Sequence, residues 1–381
     1  MVFNIYIIVM RKILFFGFVL IISCNTQNKH KAIENDVANQ VKYAKGFSIF
    51  NHGDYYTVEV YNPWDNYQVL ARYNFPDSLS SLAGKDGICI KTPIKRGVFL
   101  SSTYIAMLSV LNSVDIIKGC TNANWIYDSV VYQKYLHGEI ANLGDGLNFD
   151  AESIIAQSPD IVMKYIYKSP DQIDDILKNA GVPIVYNIEF MEKDPLGRAE
   201  WIKLMGLLTG KEEKADSVFN SIVKNYKRYC LLAKQAANKP TVLVGNTYKG
   251  VWYAVGGNSF VAKLISDANA SYYWKNDSTA GNLPLSFEAV LQKQKDDEYW
   301  IDANASSLSE ILNVEPRCNQ FKAFQTGKVY HYNKRINPEG GLDYYESGVI
   351  RPDLLLRDLL IILHPGLLDS TSQTTYWQKL N

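Results

Sequence analysis

The chain has 381 residues with 39 basic and 39 acidic side chains, so its formal net charge is zero. That balance gives no electrostatic reason to expect nucleic acid or an acidic macromolecular partner. Once an N-terminal processing segment is set aside, about 350 residues remain, enough for two lobes with a core each.

Residues 1–24 read as a signal peptide. Arg11 and Lys12 precede the apolar run Ile13 to Ile22, which is shorter than the roughly 20 residues a membrane span needs. Met10, directly before the basic pair, suits an initiator. Ile21-Ile22-Ser23-Cys24 resembles a bacterial lipobox, which implies cleavage before Cys24 and a lipid on its thiol; the alternative is an apolar strand with a chance cysteine. Residues 25–54, opening on a polar run, are expected to form a tether. Tyr55 to Val60 and Gln68 to Tyr73 are β-rich runs around Asn62-Pro63-Trp64-Asp65-Asn66, a hairpin signal.

From Gly97, strand and helix patterns alternate, which predicts α/β architecture. Residues 55–210 are expected to form an N-terminal lobe and 238–381 a C-terminal lobe. Between them Ala215, Val218, Phe219, Ile222, Val223, Tyr226, Cys230 and Ala233 recur at helical spacing, so 211–237 is predicted to be one long linking helix. Gly210 stops the apolar segment before it, and Pro240 closes its far end. A core helix within a single domain is the plainer alternative.

Motifs for catalysis are missing from the sequence: there is no GxSxG, Walker A, HExxH or GxGxxG. Cys89, Cys120, Cys230 and Cys318 lack metal-ligand spacing, and their spacing leaves disulfides and buried thiols both open. No metal site and no cofactor are expected. Gly256-Gly257 suits a phosphate cradle or an ordinary turn. Tyrosine is frequent at 26, with seven tryptophans, which suits surfaces that grip flat or bulky ligands as well as ordinary packing.

Asn148 to Ile155, Ser158-Pro159-Asp160-Ile161-Val162, and Leu177 to Val185 resemble the N-lobe signature of substrate-binding proteins of the iron-complex and vitamin B12 ABC importers. Pro195 to Lys203 resembles the run into that family's backbone helix. Gly256 to Phe260, Gly340 to Gly348, Arg351 to Leu354 and His364-Pro365 resemble its C-lobe pattern. The resemblance covers roughly Lys95 to the C-terminus; the hairpin Tyr43 to Phe75 and the segment Ala123 to Leu143 depart from it.

The resemblance implies two α/β lobes joined by one rigid helix, with a metal chelate (an iron-siderophore or haem) held in the interlobe cleft. The protein would be a monomeric, lipid-anchored envelope receptor, not an enzyme, passing its ligand to a permease powered by a separate ATPase. Cobalamin is the alternative ligand, and an envelope enzyme on a two-lobed scaffold the alternative of another class. Loops after strands are where α/β proteins hold ligands. They supply Ser101, Ser102, Thr103, Asn122, Asn124, Trp125, Tyr165 and Tyr167 from the N-lobe, and Tyr248, Trp252, Tyr253, Asn304 and Arg335 from the C-lobe. Trp252 and Tyr253 would otherwise be hairpin core, Trp125 a loop anchor and Arg335 half of a surface ion pair. Permease docking, by the same resemblance, falls to Glu288 and Asp171, each of which also suits a first-turn acid on its helix.

Overall fold

A hairpin of alternating residues opens the fold. In the computed structural model, which describes residues 38–76, 86–145 and 149–381, β1 (Phe47–Asn51), β2 (Tyr55–Asn62) and β3 (Gln68–Pro76) form an antiparallel sheet with β4 (Ile88–Cys89) on its edge. The expected signal peptide, Cys24 and the first part of the tether lie outside the described residues. The rest of the tether is corrected by the fold. Phe47 and Ile49 of β1 are buried, and the Phe47 ring packs on Trp201 at 4.3 Å. Two buried carboxylates hold the segment before β1: Glu200 accepts the N–H groups of Lys42, Tyr43 and Ala44, and Glu192 those of Lys45 and Gly46. These partners lie about 150 residues away in sequence, beyond any local pattern.

The N-lobe alternates β5 (Gly97–Phe99), α1 (Ser102–Val110), β6 (Ile117–Cys120), α2 (Ser129–Leu136), β7 (Ala141–Asn142), α3 (Ala151–Ala156), β8 (Ile161–Lys164), α4 (Gln172–Asn179) and β9 (Ile184–Tyr186). Its sheet is parallel, in the order β7-β6-β5-β8-β9. Helix α2 occupies the segment that departs from the family pattern. Asp128, Asp150 and Asp171 cap α2, α3 and α4 by accepting first-turn N–H groups.

Next come α5 (Pro195–Glu200), α6 (Ile202–Thr209) and α7 (Glu212–Ala233). Gly210, at φ +63, ends α6 in the left-handed conformation that a glycine adopts most easily. The linking helix is 22 residues, about 33 Å, and ends four residues earlier than the sequence suggests. Its buried face is Ala215, Phe219, Ile222, Tyr226, Tyr229 and Ala233. Tyr229 replaces the half-buried Cys230 on that face.

The C-lobe runs through β10 (Thr241–Val244), β11 (Asn246–Tyr248), β12 (Val251–Val255), α8 (Phe260–Asp267), β13 (Ser271–Tyr272), β14 (Asn282–Ser286), α9 (Phe287–Gln294) and β15 (Tyr299–Ile301). It continues with α10 (Leu308–Val314), α11 (Lys322–Gln325), β16 (Tyr330–His331), α12 (Ser347–Ile350), α13 (Pro352–Leu363) and β17 (Gln378–Lys379). Strands β13-β10-β15 form a parallel sheet and β11-β12-β14 an antiparallel one. Helix α7 packs on both α6 and α13.

A second tie crosses between the lobes. Glu346 accepts the N–H groups of Tyr127 and Asp128 at 2.7 and 2.9 Å, while Asn337 donates to the carbonyls of Asn124 and Ile126. Gly341 presses on the Trp125 carbonyl so closely that a Cβ would lie 1.7 Å from it. Helix α12 then packs against α1 and α5. The groove between the lobes is therefore braced along α7 and again at residues 335–350.

Candidate functional site

The carboxyl ends of parallel strands leave backbone groups and loop side chains facing the groove. After β5, β6 and β8 these are Leu100 to Ser102, Thr121, Asn122, Trp125 and Tyr165. They face Gly340 to Leu342, Tyr345 and Glu346 across a cavity of about 340 Å³. Asn122, at φ +50, turns the chain sharply after β6 and presents Trp125, which is 53% exposed.

A second cavity of about 410 Å³ lies on the C-lobe side and shares Tyr345 with the first. Gly245, at φ +97, lets β11 fold back on β12, since a Cβ there would fall 2.0 Å from the Tyr253 carbonyl. Asp302 and Asn304 follow β15 in left-handed conformations and line this cavity with Tyr253, Tyr332 and Tyr344. Tyr332 and Tyr344 stack at 4.1 Å, and the Tyr332 and Tyr345 hydroxyls bond to each other. Arg198 lies over the Phe260 ring at 4.2 Å and donates to the carbonyls of Glu192 and Phe190.

Desolvation sets the electrostatics. It pushes the carboxyl of Asp302 up to about 7, although Trp377 Nε1 donates to it. Glu346, buried, is pushed up to about 8 despite two backbone donors. Glu189, buried behind α1, rises to about 7, with its Oε2 unpartnered among the described residues and Thr103 Oγ1 donating to Oε1 at 2.7 Å. Burial likewise raises the phenols of Tyr332 and Tyr344. At neutral pH the groove offers neutral hydroxyls, amides and aromatic faces beside one guanidinium and the partly ionised Asp302 carboxyl, a set suited to binding a ring-bearing ligand.

Of the residues expected at the site, Ser101, Ser102, Asn122, Trp125 and Tyr165 line the first cavity, and Tyr253 and Asn304 the second. Thr103 turns away to Glu189, and the Asn124 carbonyl belongs to the interlobe tie. Tyr167, 67% exposed, sits outside both cavities with its ring edge on Trp64 at 5.6 Å. Tyr248, 58% exposed, stands at the tip of the β11–β12 turn.

Two expectations are corrected. Trp252 is fully buried among Phe287, Trp300 and Phe321, and its Nε1 donates to the Val244 carbonyl, because alternation along β12 turns Tyr253 outward and Trp252 in. Arg335 pairs with Asp343 at 2.6 Å over the Tyr127 ring and lines a different cavity. Sequence reasoning missed Arg198, Asp302, Tyr332, Tyr344, Tyr345 and Glu346. Tyr344-Tyr345-Glu346 stood inside the Gly340–Gly348 family run, and Asp302 directly follows a strand, so both carried a usable signal. Gly256 and Gly257 serve close backbone approach, since a Cβ on either would strike the Trp274–Thr279 loop. Among the described residues no three His, Cys, Asp or Glu side chains are grouped to hold a metal ion, and Cys89, Cys120, Cys230 and Cys318 are free.

Two α/β lobes spanned by one long helix, with an aromatic groove at the strand ends, define a solute-binding architecture. The chain belongs to the periplasmic binding protein family, whose pattern it matches over residues 98–336. It is similar to an uncharacterized lipoprotein of Methanocaldococcus jannaschii, 27% identical over 359 residues that cover 87% of this chain and 83% of the relative. Its fold resembles a periplasmic heme-binding protein from Pseudomonas aeruginosa (TM-score 0.54, 18% identity, 69% of this chain and 92% of that one). It also resembles a periplasmic vitamin B12 binding protein of Vibrio cholerae (TM-score 0.51, 14% identity, 71% and 99%).

Proposed function

We propose that this protein is the substrate-binding component of an ABC importer and captures a metal chelate, an iron-siderophore or haem, between its lobes. The observation that carries this reading is the pair of cavities joined at Tyr345, walled by Trp125, Tyr165, Tyr253, Tyr332 and Tyr344. Rings of that number suit a tetrapyrrole or catecholate face, while Arg198 suits an anionic edge. The metal then arrives within its chelate rather than on protein ligands. Cobalamin is the second reading, favoured by Asn246, Asn304 and Asp302, whose amides and carboxyl match a ligand edged with amides. A lipid on Cys24 would hold the receptor at the cell envelope, in keeping with the lipoprotein names of its relatives.

Delivery needs a docking face. Glu288 stands in the first turn of α9 on an exposed surface, where its carboxylate pairs with Arg317 at 2.6 Å. A permease arginine would compete with Arg317 for it. Asp171, its counterpart on the N-lobe, already caps α4 and pairs with buried Lys164 at 2.9 Å, so its docking role is added to a structural one.

The test is colour. Protein purified from cells supplied with ferric siderophores, haemin or corrinoids should carry the ligand's visible band, and Tyr165→Ala with Tyr253→Ala should lose it. A colourless protein that takes up none of the three in solution would sink the reading.

A further inference from the structure

Beside the aromatic cleft, and sharing only Ser259 with its lining, lies a larger cavity of about 590 Å³. It lies between the loop Met191–Asp194 and the C-lobe residues Gly257–Ser259, Lys275 and Asn276, with Ala262, Lys263 and Ser266 of α8. Its remaining wall is Tyr43, Lys45 and Tyr67, from the N-terminal segment and hairpin that precede the family match.

The charges of this cavity are unbalanced in a chain whose net charge is zero. Four lysines, Lys45, Lys193, Lys263 and Lys275, line it against two acids, Glu192 and Asp194. Both acids are turned inward: Glu192 accepts from the backbone of Lys45 and Gly46 and from Trp201 Nε1, and Asp194 caps α5. Lys263 pairs with Asp267. The other three lysines have no ion-pair partner among the described residues. The Trp274–Thr279 loop, which carries Lys275, approaches Gly256 and Gly257 closely.

We propose that this cavity is a second binding site, for a small polyanion bearing two or more phosphate or carboxylate groups. Its volume lies within the range of about 300 to 1,000 Å³ usual for small-molecule sites. Lysines from both lobes and from the N-terminal segment converge on it, so a ligand with several separated charges engages all three parts, whereas a single charge reaches only one. The site shares only Ser259 with the chelate cleft and stands whether or not that cleft takes a chelate.

Calorimetric titration of the intact protein with pyrophosphate and with citrate tests this and distinguishes the two anion classes. At least one should bind, more weakly as salt is raised, and the triple change Lys45→Gln, Lys193→Gln, Lys275→Gln should weaken it by about tenfold or more. Tyr253→Ala, in the cleft, should leave this binding unchanged. Absence of binding by both anions, binding unaltered by the triple change, or loss of binding in Tyr253→Ala would each overturn the proposal. A failure of chelates to bind would sink the cleft reading and leave this one standing.

Discussion

Trp252 and Tyr253 are neighbours on β12, and the pleat gives them opposite work. Trp252→Ala would empty the centre of the C-lobe aromatic cluster, and denaturant melts should register a loss of about 3 to 5 kcal/mol. Tyr253, 36% exposed, should tolerate Ala with little change in stability and weaken the chelate instead. Glu346 makes a prediction about pH. Its carboxyl rises from an ordinary value of 4.5 to about 8, so the folded state holds the proton more tightly than the unfolded chain. Its contribution is complete below about 4.5 and is lost as pH rises through about 8. The melting temperature should therefore fall between about pH 5 and pH 8, and fall less steeply in Glu346→Gln. Equal slopes in parent and variant would assign the dependence to other buried acids such as Asp302 and Glu189. At this scale the sequence was partly legible: strand-end residues such as Ser102 and Asn122 line a cavity, and position alone marks them. The roles of Trp252 and Arg335 depend on the strand's facing and on a distant Asp343, which no local pattern carries.

Elements were far more legible than contacts. The apolar periodicity of α7 and the stop at Gly210 are local chemistry, and the helix followed them, although it ends at Ala233, well before Pro240. Strand β1 was hidden because the segment leading into it is anchored by Glu192 and Glu200, and the crossing at 335–350 because Glu346 and Asn337 bond to a segment some 210 residues earlier. Short polar runs look alike whether solvent or a buried carboxylate satisfies their N–H groups. Helix α7 offers a direct test. Ser221→Pro removes a helical hydrogen bond at its centre and should cost about 3 kcal/mol or more, read as a lower denaturation midpoint. A parental midpoint would mean that α7 is not the common support of α6 and α13.

On the scale of the molecule, two braces across one groove leave little room for hinge bending, so the cleft is largely formed before its ligand arrives and less ordering is needed on binding. On the proposed function, recognition by a permease would then be a matter of surface charge. Glu288→Ala should lower uptake in cells while leaving chelate affinity unchanged, since its carboxylate points outward to Arg317. Asp171→Ala should lower uptake too, together with about 1 kcal/mol of stability from its lost cap. Uptake at the parental rate in the double variant would reduce both to structural acids.

The capture of a bulky chelate in the aromatic groove is tested most directly by thermal shift with ferric siderophores, haemin and cobalamin, run on the parent and on Tyr165→Ala, Tyr253→Ala. At least one ligand should raise the parent's melting temperature and lose most of that effect in the double variant. No shift with any of the three, or an equal shift in both proteins, would contradict the account.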